Sequence, residues 1–345
     1  MKRIAVWNTA FLGDAVLTLP LLQSLRLRYP DAVLDFYVRG GFASLFAAHP
    51  AITAVYGYDK RGRQKGVSGC IRLGRELARR EYDLWISAHG SARSSLLALA
   101  SGAPVRIGYR QSALARLCYT DVVDRRFAEL EEIERLLQLL HPLGDGPESH
   151  WPEFVPGREE VREADAFFSG LSGPTLGLHP GSVWPTKRWP ASCFADIGRR
   201  ALRAGAHVLL FAGPGEEQIA RSVRDLIRDE FGNACPDQLH DLSGRLSLPL
   251  LAAFLGRLSC YVTNDSGPMH LAWSQHVPVT AIFGPTVRSL GFFPRGAESS
   301  VFETALDCRP CGLHGHTHCP QGHHQCMTRV SPDDVWNDVR AKLRL

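Results

Sequence analysis

Short apolar runs closed by turn residues alternate with segments of helical periodicity twice along this chain, and a stretch with neither pattern separates the two series. In the first series the strand-like runs are residues 2–7, 33–38, 51–56, 83–88 and 105–109. Between them, Val16, Leu17, Leu19, Leu22 and Leu25 recur at helical spacing after Asp14, and residues 71–80, 93–100 and 128–140 read as further helices. Pro20 lies inside the first of these patterns and should kink it or delay its start. Residues 142–173 lose periodicity and gain Pro, Gly and acidic residues around one short helix near 161–168. The second series then offers strands at 175–179, 207–212, 239–242, 260–263 and 277–283, with helices at 190–204, 216–230, 249–257 and 268–274. Such alternation predicts an α/β fold: parallel sheets covered by helices on both faces, with ligands at the carboxyl ends of the strands. Two doubly wound Rossmann-like domains facing across a cleft is the economical arrangement, residues 1–160 and 170–330, followed by a helix in 331–345 that could pack on either. Ser331 caps that helix, with Asp334 three residues on.

A length of 345 residues agrees with two cores rather than one. A net charge of +4 is too mild to argue for nucleic acid and suits an anionic substrate or an anionic membrane surface without demanding either. The start M-K-R is followed by an apolar run, but Asn8 and Asp14 interrupt it and no small-residue cleavage pattern follows. No run approaches the ~20 apolar residues that span a bilayer. A cytoplasmic protein is expected. Of the nine cysteines, five are scattered as buried thiols of a reducing compartment would be.

The densest stretch is Y-V-T-N-D-S-G-P-M-H, residues 261–270, where an apolar strand meets a turn and a helix. Such a turn aims unpaired backbone N–H groups at one point, which favours a phosphate. Asp265 would repel a phosphate and makes more sense accepting hydrogen bonds from adjacent sugar hydroxyls, unless it is an ordinary helix cap. In H-P-G-S-V-W-P-T-K-R-W-P, residues 179–190, Ser182 and backbone amides could hold a phosphate that Lys187 neutralises. Cations are unusual before a helix unless an anion is there. In A-G-P-G-E-E, residues 212–217, the glycine spacing falls short of a dinucleotide fingerprint, and Glu216 or Glu217 would either grip ribose hydroxyls or serve as a first-turn acid. Near the start, F-L-G-D places Asp14 at a helix entrance, as a general base or as a dipole partner; alone it reads more simply as the second. Together, several phosphate- and hydroxyl-friendly loops in strand order suit a nucleotide-linked donor.

F-L-G-D-A-V-L-T-L-P, S-G-A-P-V-R-I-G-Y (residues 101–109), H-P-G-S-x-W-P-x-K-R-W-P and T-N-D-S-G-P-M-H resemble the ADP-heptose:lipopolysaccharide heptosyltransferases of glycosyltransferase family 9, over nearly the whole chain. The resemblance implies a GT-B fold whose first domain takes the acceptor, whose second takes the nucleotide sugar, and whose terminal helix crosses back. It also implies an inverting transfer without a covalent intermediate. Asp14 would deprotonate the acceptor hydroxyl and Lys187 would stabilise the departing diphosphate. Asp265 would hold the donor sugar, the Ser266 and Gly267 amides the phosphates, and His270 would brace the site, with a glutamate of the 213 loop on the ribose. Leu246 would lie against the adenine, and Val183 stands where some members offer a phosphate-binding hydroxyl, which leaves that contact to Ser182.

The resemblance also supplies a partner for Lys60, Arg61, Arg63 and Lys65, otherwise a solvated charge run: the anionic, phosphorylated, Kdo-bearing inner core of lipopolysaccharide, met at the inner membrane face. His89 and Arg93, after the strand at 83–88, are further candidates for the acceptor. Cys308, Cys311, Cys319 and Cys326, with histidines interleaved, have the look of a zinc knuckle. Free thiols are the favoured reading, with structural zinc the alternative, and no cofactor is required for the transfer. Other readings in view are a family 9 enzyme with a different nucleotide sugar or glycan, a nucleotide-sugar epimerase, and an inactive lipopolysaccharide-binding scaffold.

Overall fold

Val, Ile, Leu and aromatic residues dominate the central strands because helices cover both faces of each sheet. In the first half these strands are β1 (Arg3–Asn8), β2 (Val33–Arg39), β3 (Ala54–Tyr58), β4 (Leu84–Ser87), β5 (Val105–Tyr109) and β6 (Asp121–Val123). All pairings are parallel and the order is β3-β2-β1-β4-β5-β6. The second half repeats the plan with β7 (Thr175–His179), β8 (His207–Leu210), β9 (Leu239–Asp241), β10 (Cys260–Asn264), β11 (Val279–Phe283) and β12 (Ser300–Glu303). Its order is β12-β11-β10-β7-β8-β9, again all parallel. The chain reverses its direction of winding between β1 and β4 in one sheet and between β10 and β7 in the other, the points where doubly wound sheets hold ligands. These are the two Rossmann-like halves of a GT-B fold. The computed structural model describes residues 1–345, apart from the side chain of residue 233, and divides into units of residues 1–157 and 158–345.

Each unit has its own core. In the first, Trp7 stacks on Tyr37 at 5.5 Å and on Trp85 at 5.7 Å, so three neighbouring strands share one aromatic layer. The polar tips of that layer are satisfied: Tyr37 and Tyr82 hydroxyls meet at 2.7 Å, and Tyr82 donates to the buried Asp35 at 2.6 Å. The second core runs from Leu176 through Phe194, Val223 and Val262 to Val335, Val339 and Leu343 of the last helix, Pro332–Leu343. Lys342 of that helix reaches the Val279 carbonyl and the Thr280 hydroxyl, each at 2.9 Å, so the helix is built into the second unit.

Several elements differ from the sequence expectation. The first helical pattern is two helices, Leu12–Leu17 and Leu19–Arg28, broken at Thr18, because Pro20 has no N–H with which to continue the first. Instead of one long helix over 128–140, a Glu131/Glu134 capping box starts a short helix, Glu132–Leu137, that tightens into a 3-10 segment, Gln138–Leu143. The helix expected from 71 starts at Gly66, and the one expected near 161 spans Arg158–Phe168. Edge strands β6 and β12 were not anticipated. Among the described residues no helix is long and apolar enough to cross a membrane.

Candidate functional site: two half-sites at the ends of the parallel strands

In the first unit, the turn after β1 delivers Asp14. Its carboxylate accepts the Phe11 amide at 3.1 Å, while its carbonyl takes the Thr18 hydroxyl at 2.7 Å and the Asn8 side chain at 3.2 Å. The backbone of Asp14 is therefore held by Thr18 and Asn8, and its carboxylate by the Phe11 amide. Burial pushes its carboxyl up to about 6, and the negative charge of Glu132 adds to the push. Glu132 is itself buried between Arg125, at 2.7 Å, and Arg135, at 3.0 Å. A carboxyl with this pKa is mostly ionised at neutral pH yet far more basic than an open-chain aspartate, as a general base requires. The Asp14–Arg125–Glu132 arrangement has no linear signature, since Glu132 lies 118 positions beyond Asp14.

His89 follows β4 and faces the same end of the sheet, its Nδ1 within 3.3 Å of the Thr9 hydroxyl and 3.2 Å of the Ser94 hydroxyl. Burial, and then the cations Lys60 and Arg125, lower its pKa and keep the ring neutral. Arg93 is occupied differently: it donates to the Tyr58 hydroxyl at 2.9 Å and the Gln64 carbonyl at 3.3 Å, and so ties down the basic turn. That turn is organised by Asp59, whose carboxylate collects the amides of Arg61, Gly62 and Arg63. Lys60, Arg61, Arg63 and Lys65 all remain exposed. The result is a fixed backbone carrying exposed cations, suited to a polyanion rather than to one small ligand.

In the second unit the ends of β7, β10 and β11 converge. Lys187 Nζ meets Asp265 Oδ2 at 2.5 Å, both groups buried, and the Thr286 hydroxyl donates to the same oxygen at 2.6 Å. An ammonium with three N–H donors keeps two beyond this pair. Asn264, buried just before Asp265, accepts the Trp189 amide at 2.9 Å and donates to the carbonyls of Pro180 at 2.9 Å and Gly181 at 3.2 Å. One side chain thus locks the loop after β7 to the turn after β10 and places Lys187 against Asp265. His270 lies behind them; burial lowers its pKa to about 4, and its Nδ1 accepts the Trp273 indole at 3.1 Å, so it is a neutral ring that donates only from Nε2. Ser182 is buried in the locked loop, and Val183 is exposed. Ser266 touches the Thr263 hydroxyl at 3.3 Å, and Gly267 begins the helix Gly267–Trp273, whose first amides lack intrahelical acceptors.

Glu216 is engaged within the protein. Its Oε2 meets His179 Nε2 at 3.3 Å and accepts the Gly213 amide at 3.3 Å, while His179 Nδ1 is held by the Tyr261 hydroxyl at 2.7 Å. Burial pushes the Glu216 carboxyl up, but His179 and the amide outweigh it and the net shift is downward. Gly181 is required here, since a Cβ at that position would lie 2.2 Å from Glu216 Oε2. Glu217 instead accepts the Gly215 amide at 2.9 Å. Leu246 is half-buried in the turn before the helix Leu248–Leu255. Glu132, Asn264 and Thr286 are the residues that sequence reasoning did not single out.

The four clustered cysteines are reduced, with Cys326 buried and the others half-buried. The Cys311 thiol turns to the Cys308 carbonyl at 3.2 Å, and among the described residues no group of three or more His, Cys, Asp or Glu is arranged to hold a metal ion. The zinc knuckle set out from their spacing is therefore not found.

Comparison with known proteins agrees with this architecture. The family described as "Glycosyltransferase family 9 (heptosyltransferase)" matches residues 70–314. Lipopolysaccharide heptosyltransferase 1 of Pseudomonas aeruginosa is 29% identical over 99% of this chain and 98% of its own length. Lipopolysaccharide heptosyltransferase 2 of Escherichia coli is 24% identical over 99% and 98%. A family 9 glycosyltransferase from Veillonella parvula superposes with a TM-score of 0.86 at 26% identity, covering 99% of this chain and 97% of that one. The locked Lys187–Asp265 pair, the base-like Asp14 and the twin parallel sheets stand in a chain that belongs to glycosyltransferase family 9, the heptosyltransferase family.

Proposed function

We propose that this glycosyltransferase transfers a heptose from ADP-heptose to the anionic inner core of lipopolysaccharide, presented at the inner membrane face, with inversion at the anomeric carbon. The carrying observation is the buried Lys187–Asp265–Thr286 cluster at the ends of β7, β10 and β11. A buried ammonium with N–H groups to spare, beside a turn of unpaired amides, is a site for the diphosphate of a nucleotide sugar. Asp14 takes the proton of the acceptor hydroxyl. The freed oxygen attacks the anomeric carbon as the bond to the diphosphate breaks, and Lys187 compensates the charge that gathers on ADP. A single displacement inverts the centre and needs no covalent enzyme intermediate. Asp265 holds the sugar hydroxyls with its Oδ1, Ser182 and the Ser266 and Gly267 amides meet the phosphates, Glu217 the ribose, and Leu246 the adenine. Lys60, Arg61 and Arg63 meet acceptor phosphates, with His89 beside the attacking hydroxyl. No bound cofactor takes part in these steps.

Calorimetric titration with ADP, GDP and UDP tests the donor. ADP should bind at least about tenfold more tightly than the other two, and Lys187→Ala should weaken ADP by about tenfold or more while leaving it measurable. A preference for UDP or GDP would replace the donor sugar while leaving the family assignment in place.

A further inference from the structure

The segment from Arg309 to His324 holds both partners of the Lys187–Asp265 pair. On the lysine side, every polar group of Thr186 is taken by this segment. The Thr186 amide donates to the His316 carbonyl at 3.2 Å, and the hydroxyl donates to the same carbonyl at 2.9 Å. That hydroxyl also accepts the His316 amide at 2.7 Å, and the Thr186 carbonyl meets His324 Nε2 at 2.7 Å. The contact is close along its length: a Cβ on Gly315 would come 2.5 Å from Trp184 Cβ and 3.1 Å from Lys187 Cγ. Only a glycine lets the strand of chain lie on the lysine stem, and the adjacent His314 ring stacks on Trp184 with an interplanar angle of 11°.

On the aspartate side, Arg309 donates to the carbonyls of Gly284 and of Thr286, the latter at 2.8 Å, and the Cys311 amide donates to the Pro285 carbonyl at 2.9 Å. These bonds fix the turn after β11 that carries Thr286, whose hydroxyl reaches Asp265 at 2.6 Å. The two arms are linked, because His316 Nε2 lies 3.1 Å from the Cys311 carbonyl.

We propose that residues 309–324 form a positioning strap for the donor half-site, with Arg309, His316 and His324 as positioning residues that act through Lys187 and Thr286. The proposal rests on the reading of Lys187 as the group that holds the diphosphate. A residue buried in its role only as packing would cost stability; a strap costs binding and turnover through one named side chain.

The test is a double-mutant cycle in the full chain, read as ADP affinity by calorimetry and as turnover. His324→Ala should weaken ADP about tenfold and lower kcat by a similar or larger factor, since small misplacements of a catalytic group are costly. His324→Gln, which restores a donor to the Thr186 carbonyl, should recover most of both. In a Lys187→Ala background, His324→Ala should have no further effect on ADP affinity. His318→Ala, in the same segment but exposed to solvent, should match the wild type throughout. If His324→Ala does not fold, Gly315→Ala enters the same cycle, since it adds one methyl group against the lysine stem. Equal losses in the native and Lys187→Ala backgrounds, or no loss at all, overturn the strap. A wild-type chain that binds no nucleoside diphosphate overturns the donor reading and the strap together, whereas normal ADP binding with additive losses overturns the strap alone.

Discussion

Asp14 carries two opposed demands. A base must be ionised near neutral pH, yet the burial that makes it basic also makes its charge costly. Its carboxyl stands at about 6 in the folded protein against 3.8 in an open chain. The folded form therefore holds the proton more tightly between those values. The stability this brings is complete below about pH 4 and is lost as pH rises through about 6. Above that, the charged side chain costs about 3 kcal/mol. Asp14→Asn should accordingly lower turnover by about 10²–10⁴-fold, the usual contribution of a general base. The same variant should melt higher than the wild type at pH 8 and at the same temperature at pH 4, which thermal unfolding at the two values would measure. In the wild type, kcat/KM should rise with pH to a plateau above about 6. A pH-independent profile, or a variant that melts lower at pH 8, would refute the assignment.

At the scale of elements, the proposed donor site depends on turns that are held to one another across long sequence separations. Asn264 makes three hydrogen bonds to backbone groups near Pro180, Gly181 and Trp189, more than seventy positions away. Asn264→Ala should cost about 2–4 kcal/mol, because buried backbone groups lose their partner. It should also weaken ADP although Asn264 need not touch the nucleotide; denaturant titration and calorimetry on one sample would separate the two effects. The motif T-N-D-S-G marked the turn as functional, but the letter N could not say which atoms it binds, since all three partners are main-chain atoms. The central strands were legible for the opposite reason. At 175–179 all five positions are buried, so both faces carry the signal, and at 105–109 the buried residues Ile107, Gly108 and Tyr109 complete a strand that Val105 opens. Edge strands β6, D-V-V, and β12, S-V-F-E, are short and half-exposed, so their pairing is set by the neighbour already in place and not by their own pattern. The helix expected over 128–140 shows periodicity misleading in the same way: apolar spacing continued past the point where Pro142 forces the tighter turn.

For the whole molecule, duplication of one plan gives the chain two separate sheet ends for the two chemical tasks proposed above. Each sheet offers a switch point, and the residues there differ: a buried carboxyl beside the charges of Glu132 and Arg125, with exposed cations, at one, and an embedded ion pair at the other. The cores are separate sets of residues, one within positions 5–122 and the other within 176–343. The last helix shows how completely the second core is closed. Val335, Val339 and Leu343 are buried among residues of β7, β8 and β10, and Lys342 and Asp338 bridge to Thr280 and Ser300 at the edge of that sheet. Although Leu343 stands two positions from the end of the chain, it is a core residue. Truncating such a side chain costs the transfer of its methyl groups plus the cavity left behind, about 2–5 kcal/mol. Leu343→Ala should therefore destabilise the second unit by that amount and leave the first untouched. Native-state hydrogen exchange would resolve the two: protection should fall by about 30-fold or more for amides of β7, β10 and β11, while those of β1, β2 and β4 keep their wild-type rates. A uniform loss over both sheets would show that the halves unfold as one, and the donor half-site would then owe its rigidity to the whole chain rather than to its own core.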